Sequence, residues 1–244
     1  MKLRFFLFAA LFIVCVIHLS AQEKLRVEYE VVPYYESVGK DEFDITMESS
    51  LFELVTDKNE SLYRIVPRIN NTQIEVSGSI SATMSADANP VYKNTEGKTY
   101  VEEAQIGEKV FLIKDDLPQI DWKITKETKE IAGFPVQKAT AVLTDDDKTE
   151  IEAWYSPKLN NKNGPDKLWG LPGIILEVQT LINYDDGSKE GTKYVAIKVE
   201  TLNSNEKLKA PTKGKEITQK EFTKFVNEHF EQQMEMYRGG VDKD

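Results

Sequence analysis

Repeated pairs of apolar segments, each pair joined by a short polar turn, constrain the fold of this chain most strongly. Within each segment, alternation of apolar and polar residues would place every second side chain on one face of a strand. A short polar connection then returns the chain beside itself, as in a hairpin. The sequence therefore predicts a sheet built from antiparallel hairpins. The three pairs are Leu51–Thr56 with Leu62–Val66, Val136–Leu143 with Thr149–Tyr155, and Ile174–Tyr184 with Tyr194–Val199.

Shorter segments add to this sheet. Leu25–Val31 alternates strictly, and Val110–Ile113 and Trp122–Ile124 are two further strand candidates. A twisted sheet of about eight to ten strands is close to the size at which such sheets curl. We therefore predict a β-rich α+β fold with a curved antiparallel sheet or open half-barrel. The polar stretch 68–89 fits an edge strand, a mobile flap or a long loop.

The first residues have the pattern of a secretory signal peptide. Lys2 and Arg4 precede the apolar run Phe5–Leu19, and Ala21 provides a small residue for cleavage. The run is short for a membrane span, which needs about 20 apolar residues. An uncleaved anchor, or a lipoprotein modified at Cys15, is the alternative. We predict a signal peptide at 1–21, a single domain at 22–244, and export to the periplasm, the outer membrane or the medium.

Charge and composition exclude several classes of function. The chain has 31 Lys and Arg against 41 Asp and Glu, a net charge of −10, which disfavours nucleic-acid binding. Cleavage would remove Cys15 and His18, the only Cys and one of two His, and would leave His229 alone. Disulfides, thiol nucleophiles and sites with several His ligands are then excluded. We predict no cofactor, no metal and no membrane span after cleavage.

The C-terminal segment is the clearest helix, at about 218–238. Thr218 and Glu221 form a capping box, and Gly239–Gly240 provides an end. The apolar residues that follow the cap fall on one stripe, which predicts packing on the sheet. A histidine within such a stripe is expected to be part of the core. The stripe comprises Phe222, Phe225, Val226, His229, Phe230, Met236 and Tyr237.

Acidic clusters offer little catalytic chemistry. Asp145–Asp147 lacks the spaced ligand set of a calcium loop and reads as a hairpin turn. Glu102 and Glu103 are adjacent on a predicted strand and would point to opposite faces. A hydrolase that uses two converging carboxylates stays an alternative, since the sequence alone does not show which carboxylates meet.

The segment from Ile151 to Val178 combines aromatic residues with a rigid turn. Trp154 and Tyr155 end one strand, and Trp169-Gly170-Leu171-Pro172-Gly173 leads into the next. Pro172–Gly173 suits the central positions of a type II turn, in which Gly adopts positive φ. These residues either plug the open end of the sheet or line a ligand or partner site.

The same segment resembles a known family. Gly170-Leu171-Pro172-Gly173-Ile174-Ile175 is similar to the hexapeptide of the GLPGLI family of exported Bacteroidota proteins. Ile131–Phe134 and Ala153–Pro157 match the family's supporting motifs in order and spacing. Ile174–Ile175 stands where the family usually has Leu-Ile, and Val136 where it often has Cys. The resemblance is strong from about Trp122 to Glu177.

The resemblance implies an envelope protein of uncharacterised function, with no catalytic residues to transfer. It also extends, more distantly, to the half-barrel of periplasmic lipoprotein carriers. We therefore expect a non-enzymatic binding or accessory protein that presents a concave apolar surface to a lipid, a peptide or an outer-membrane partner. A subunit of an outer-membrane transport or secretion complex is a further alternative. The candidate binding residues are Trp154, Tyr155, Trp169, Gly170, Leu171, Pro172 and Gly173.

Overall fold

The computed structural model describes residues 24–36, 46–67, 83–84, 89–144, 148–204 and 207–239. The predicted signal peptide, the turn at Asp145–Asp147 and almost all of 68–89 lie outside these residues. Within them, the predicted β-rich fold is confirmed: one open, curled sheet of twelve strands carries a single C-terminal helix.

The strands are numbered in chain order, and β2 and β5 form a separate parallel pair. The order across the main sheet is β14-β8-β7-β6-β4-β3-β1-β13-β12-β11-β10-β9. All neighbours in it are antiparallel except β14, which runs parallel to β8. The bounds are β1 Lys24–Glu36, β2 Thr46–Met47, β3 Ser50–Thr56, β4 Glu60–Ile65, β5 Thr83–Met84, β6 Val91–Asn94, β7 Thr99–Ile106, β8 Lys109–Asp116, β9 Lys123–Ile131, β10 Phe134–Val142, β11 Glu150–Ser156, β12 Ile174–Asn183, β13 Lys189–Leu202 and β14 Lys215–Ile217.

The three predicted hairpins are present as β3–β4, β10–β11 and β12–β13. The expected count of about eight to ten strands was too low for the main sheet. The strand β6 has only two residues, Val91 and Lys93, on its buried face, so its sequence carries almost no periodic signal. The strand β9 faces solvent along most of its length at the sheet edge and is rich in Lys and Glu. Charged edges of this kind discourage pairing with other chains.

The helix α1 spans Gln219–Gly239, and its capping box is confirmed. The backbone N–H of Thr218 donates to the Glu221 carboxylate at 2.9 Å, and the Glu221 N–H donates to Thr218 Oγ1 at 3.3 Å. Phe222 and Phe225 pack against Phe111 of β8, with ring centroids 5.5 and 4.8 Å apart. No helix in the described part of the chain is long and apolar enough to cross a bilayer.

The expectation that the whole apolar stripe of α1 packs on the sheet was wrong. Phe230 and Met236 are 62% and 71% exposed. The helix contacts β8 near the sheet edge, so its first turns cover the sheet and its later turns project beyond it. His229 is half-buried and stacks on Phe225 at 6.0 Å, which agrees with a packing role.

The core is formed largely by cross-strand rows of side chains. Leu54, Tyr63 and Val91 lie directly opposite one another on β3, β4 and β6, so they share one face of the sheet. Tyr63 stacks on Phe52 with ring centroids 4.9 Å apart. Val27 and Tyr29 of β1 continue this core and are fully buried. A second buried cluster joins Ala139, Ala153, Tyr155, Leu168, Leu171 and Ile175 on the β10–β12 side.

Candidate functional site

A row of buried polar side chains crosses the sheet beside this core. Thr56, Ser61, Lys93 and Tyr100 lie opposite one another on β3, β4, β6 and β7, and each is at most 3% exposed. We call these four residues the polar row. Since buried polar groups are costly without hydrogen bonds, each member requires a hydrogen-bond partner.

The connection between β11 and β12, residues 157–173, provides partners for Thr56, Ser61 and Lys93; we call it the β11–β12 loop. Asn161 and Asn163 donate from their amide groups to Thr56 Oγ1 at 3.1 and 3.0 Å. Ser61 Oγ donates to Asn163 Oδ1 at 3.0 Å. The loop is therefore fixed on the sheet face through its own buried amides.

Lys93 is the centre of this docking. Its Nζ donates to the backbone carbonyl oxygens of Gly164, Asp166 and Leu168 at 2.6, 2.5 and 3.1 Å. Burial lowers the pKa of Lys93 to about 7, whereas the Asp166 carboxylate acts in the opposite direction. Three acceptors suit the three N–H donors of an ammonium group, so the loop offsets part of the cost of burying it.

Lys167 ties the same loop to β7 and α1. Its Nζ lies 2.7 Å from Glu102 Oε2 and 3.2 Å from Gln219 Oε1, and it sits 5.0 Å from the centroid of the Tyr100 ring. Burial alone would lower the pKa of Lys167, but the Asp166 and Glu102 carboxylates outweigh burial and raise it. Tyr100 also donates to Gln219 Oε1 at 2.7 Å. The loop, the sheet and the start of α1 thus share one polar network.

Trp169 and Gly170 lie where the loop reaches the surface. Trp169 Nε1 donates to the Pro118 carbonyl at 2.8 Å, and Trp122 Nε1 donates to the Trp169 carbonyl at 2.9 Å. Gly170 is exposed, with φ of 100°. Both indole N–H groups are therefore used internally, and only the ring surface of Trp169 is left for an external contact.

The predicted type II turn at Pro172–Gly173 was wrong. Gly173 does not have positive φ, and the left-handed glycine of the motif is Gly170. Gly173 is required for a different reason: a Cβ atom there would lie 2.1 Å from the Ser156 carbonyl oxygen. The close approach of the loop end to β11, rather than turn geometry, excludes a larger residue.

The other candidate residues are placed in different environments. Trp154 is 8% exposed and lies under the Lys129 ammonium, 4.2 Å from its ring centroid. Tyr155 is buried and donates to Gln137 Oε1 at 3.1 Å. Leu171 is buried, whereas Pro172 is exposed. Trp154 belongs to the first core cluster, and Tyr155 and Leu171 to the second, so the seven candidates do not line one cavity.

An open groove lies beside Trp169 and Gly170, with a volume of about 570 Å³. Its floor is apolar, from Leu117, Ile120 and Trp169, and its exposed charges are Lys98, Lys162 and Asp116. We call it the Trp169 groove. Its local charge is positive, in a chain whose net charge is −10. The groove can therefore take an apolar side chain together with an acidic one.

Sequence reasoning missed the residues that dock the loop. Lys93 stands two residues after Val91, which places it on the same face, but lysine normally marks the solvent side of a strand. In the sequence, Asn161 and Asn163 resemble ordinary loop residues. Their alternate positions before Gly164-Pro165 were the available signal. Their partners can be identified only when the register of β3, β4 and β6 is known.

Comparison with known proteins gives one family match, and it covers the β11–β12 loop. No protein of curated function matches the sequence. A family profile described as "Protein of unknown function (Porph_ging)" matches residues 142–177. The matched stretch contains β11, the β11–β12 loop and the start of β12, so the match is to a family of unknown function through the segment that covers the polar row.

Solved structures resemble the fold. PNGF-II in its C2 crystal form has a TM-score of 0.53 and 17% identity over 84% of this chain. The P21 form gives 0.52 and 16% over 83%. In both, the match covers 32% of the PNGF-II chain, so this chain corresponds to about a third of that protein. At this identity the likeness shows a shared fold alone.

A LolA superfamily protein from Nitrosomonas europaea gives a TM-score of 0.29 and 7% identity, covering 73% of this chain and 86% of that one.

Proposed function

We propose that this chain is a non-enzymatic binding protein of the bacterial envelope that holds a peptide segment of a partner protein in the Trp169 groove. The observation that carries the proposal is the docking of the β11–β12 loop on the polar row. With the loop in that place, the sheet face is covered, and Trp169 and Gly170 are presented at an open surface.

The groove favours a peptide over a lipid. An acyl chain requires an extended apolar cavity, whereas the sheet face behind the loop is occupied by Lys93, Asn161 and Asn163. The Trp169 groove is open, and its apolar floor is flanked by Lys98 and Lys162. These features match an extended segment that carries an acidic residue beside an apolar one. The envelope location rests on the predicted signal peptide at 1–21.

Site-specific photo-crosslinking in the bacterium that encodes the protein tests this proposal. A crosslinking amino acid at Gln119, which is exposed in the groove, is compared with one at Lys126, which is exposed on β9. We expect a discrete protein adduct from position 119 alone, and we expect Lys162→Glu to reduce it because this change reverses the groove charge. The same adducts from both positions, or a phospholipid adduct from position 119, would contradict the proposal.

A further inference from the structure

A second groove lies on the face of the sheet opposite the β11–β12 loop. Successive side chains of a strand point to opposite faces, so Val55 and Leu62 point away from the face on which Thr56 and Ser61 contact the loop. The volume of this groove is about 400 Å³, a size typical of small-molecule sites. Its apolar wall is buried or half-buried and consists of Val55, Leu62, Leu202 and Leu208.

Among the described residues, every ionisable side chain that lines this groove is a cation. Lys24 and Arg26 belong to β1, Arg64 belongs to β4, and Lys207 and Lys209 follow β13. We call it the basic groove. Five cations gather here in a chain whose net charge is −10. Positive charge concentrated in a concave surface attracts anions.

The two arginines of the basic groove already have carboxylate partners. Arg26 lies 3.2 Å from Glu53 Oε2 and 3.1 Å from Glu200 Oε1. Arg64 lies 2.6 Å from Glu53 Oε1. The charge that is not balanced by these pairs is therefore carried by the three lysines.

Lys24 is the residue that indicates a binding site. It is 6% exposed, yet it makes no hydrogen bond or ion pair with the part of the chain that the structure describes. A lysine is almost never buried in this way without a partner. Lys93, by contrast, has three carbonyl acceptors. Because Lys24 lines the basic groove, an anion bound there would supply the partner that it lacks.

We propose that the basic groove binds a phosphate monoester whose alcohol part is apolar. A phosphate monoester carries about two negative charges near neutral pH, more than a carboxylate can bring to three lysines. Ammonium groups are common phosphate ligands in proteins. The apolar part would lie on Val55, Leu62 and Leu202. This ligand is distinct from the peptide proposed for the Trp169 groove, and none of the described residues lines both grooves.

The test compares three probes by isothermal titration calorimetry of the purified protein. Butyl phosphate has both parts of the proposed ligand, butane-1-sulfonate has a similar shape but one charge, and inorganic phosphate has no apolar part. We expect butyl phosphate to bind about tenfold more tightly than either of the others, a difference that two buried methylene groups or one added charge interaction would supply. Equal affinity in either comparison, or no binding of butyl phosphate, would overturn the proposal.

Two variants locate the binding. Lys24→Met removes the ammonium group and keeps an apolar stem, and Lys209→Gln removes one exposed charge. We expect butyl phosphate to bind about tenfold more weakly to the first variant and about threefold more weakly to the second. The control Lys126→Met changes the net charge equally at an exposed position on β9 and should leave binding unchanged. Undiminished binding in both groove variants would refute this site, without bearing on the Trp169 groove.

Vesicles distinguish the two sources of such an ester, a lipid headgroup and a soluble compound. Phosphatidylcholine vesicles that contain phosphatidic acid, whose headgroup is a phosphate monoester, are compared in a flotation assay with vesicles of phosphatidylcholine alone. Recruitment that requires phosphatidic acid and is lost in Lys24→Met identifies a lipid headgroup. Binding of butyl phosphate without recruitment to either vesicle identifies a soluble ester.

Discussion

Two neighbouring tyrosines differ in whether their hydroxyl groups are satisfied. Tyr29 and Tyr63 lie with ring centroids 6.4 Å apart, and both are buried. Tyr29 donates to the Ile175 carbonyl at 2.6 Å, whereas Tyr63 has no partner among the described residues. We expect Tyr29→Phe to lower the free energy of unfolding by about 1–2 kcal/mol, because it removes the hydrogen bond to the Ile175 carbonyl.

We expect Tyr63→Phe, in protein free of ligand, to leave stability unchanged or slightly higher, because it removes an unsatisfied group. Urea denaturation of both variants measures the difference. Equal losses in the two variants would show that the Tyr63 hydroxyl already has a bound partner in the purified protein.

The buried ammonium of Lys93 gives a pH-dependent prediction. Lys93→Met leaves three loop carbonyls without a donor and should cost about 2–4 kcal/mol, measured by denaturation near neutral pH. Burial lowers the pKa of Lys93 to about 7, below the unfolded value of about 10.4. Between these values the unfolded chain binds more protons, so the contribution of Lys93 to the free energy of unfolding increases as pH rises.

The advantage of the wild type over Lys93→Met should therefore increase from pH 7 to pH 9, a window that lies between the two pKa values of the lysine. Lys126→Met, at an exposed position on β9, is the control and should show no such dependence. A difference that falls with pH would mean that the folded state holds the proton more tightly than the unfolded state.

The two glycines of the motif should differ in tolerance. Gly173→Ala places a Cβ atom in contact with the Ser156 backbone, so we expect a loss of about 3 kcal/mol or more. Gly170→Ala meets no such obstacle but adopts positive φ, at a cost of about 1–2 kcal/mol. Thermal denaturation ranks the variants. A greater loss of stability for Gly170→Ala than for Gly173→Ala would contradict this ranking. It would mean that the turn conformation, rather than the close approach to Ser156, requires the glycines of the motif.

Hairpin elements were predictable because their signal is local. Alternation and turn residues within two consecutive segments specify β3–β4, β10–β11 and β12–β13. The strand β6 was not predictable, since its four residues carry too little periodicity. The point at which α1 stops packing on the sheet was not predictable either, because an apolar stripe does not show how far the sheet extends. The roles of Lys93 and Tyr63 depend on register between strands, which the sequence pattern does not fix.

The helix provides a matched pair of aromatic residues. Phe225 is half-buried between Phe111 and His229, whereas Phe230 is 62% exposed. We expect Phe225→Ala to lower the free energy of unfolding by about 1–2 kcal/mol and Phe230→Ala to leave it nearly unchanged. Guanidinium denaturation of the two variants tests this. A comparable loss at Phe230 would indicate that the outer half of α1 is covered in solution.

At the scale of the whole molecule, the order of strands could not be predicted from the sequence pattern. The strand β1 pairs with β3 on one side and with β13 on the other, across more than half of the chain. Side-chain alternation in β1 is equally compatible with many neighbours. The curvature of the sheet was predictable from its size, whereas the position of each strand in it depends on contacts distant in sequence.

The central position of β1 has a kinetic consequence. The first described strand, Lys24–Glu36, completes its pairing only when Lys189–Leu202 has been synthesised and brought to it. Chains dominated by such distant contacts fold slowly, on the order of milliseconds to seconds. Stopped-flow refolding should therefore show no submillisecond completion. If the chain is exported, both edges of β1 stay unpaired while the chain crosses the membrane. Aggregation competes with folding during that interval, and a holdase chaperone would then act on the unpaired strand.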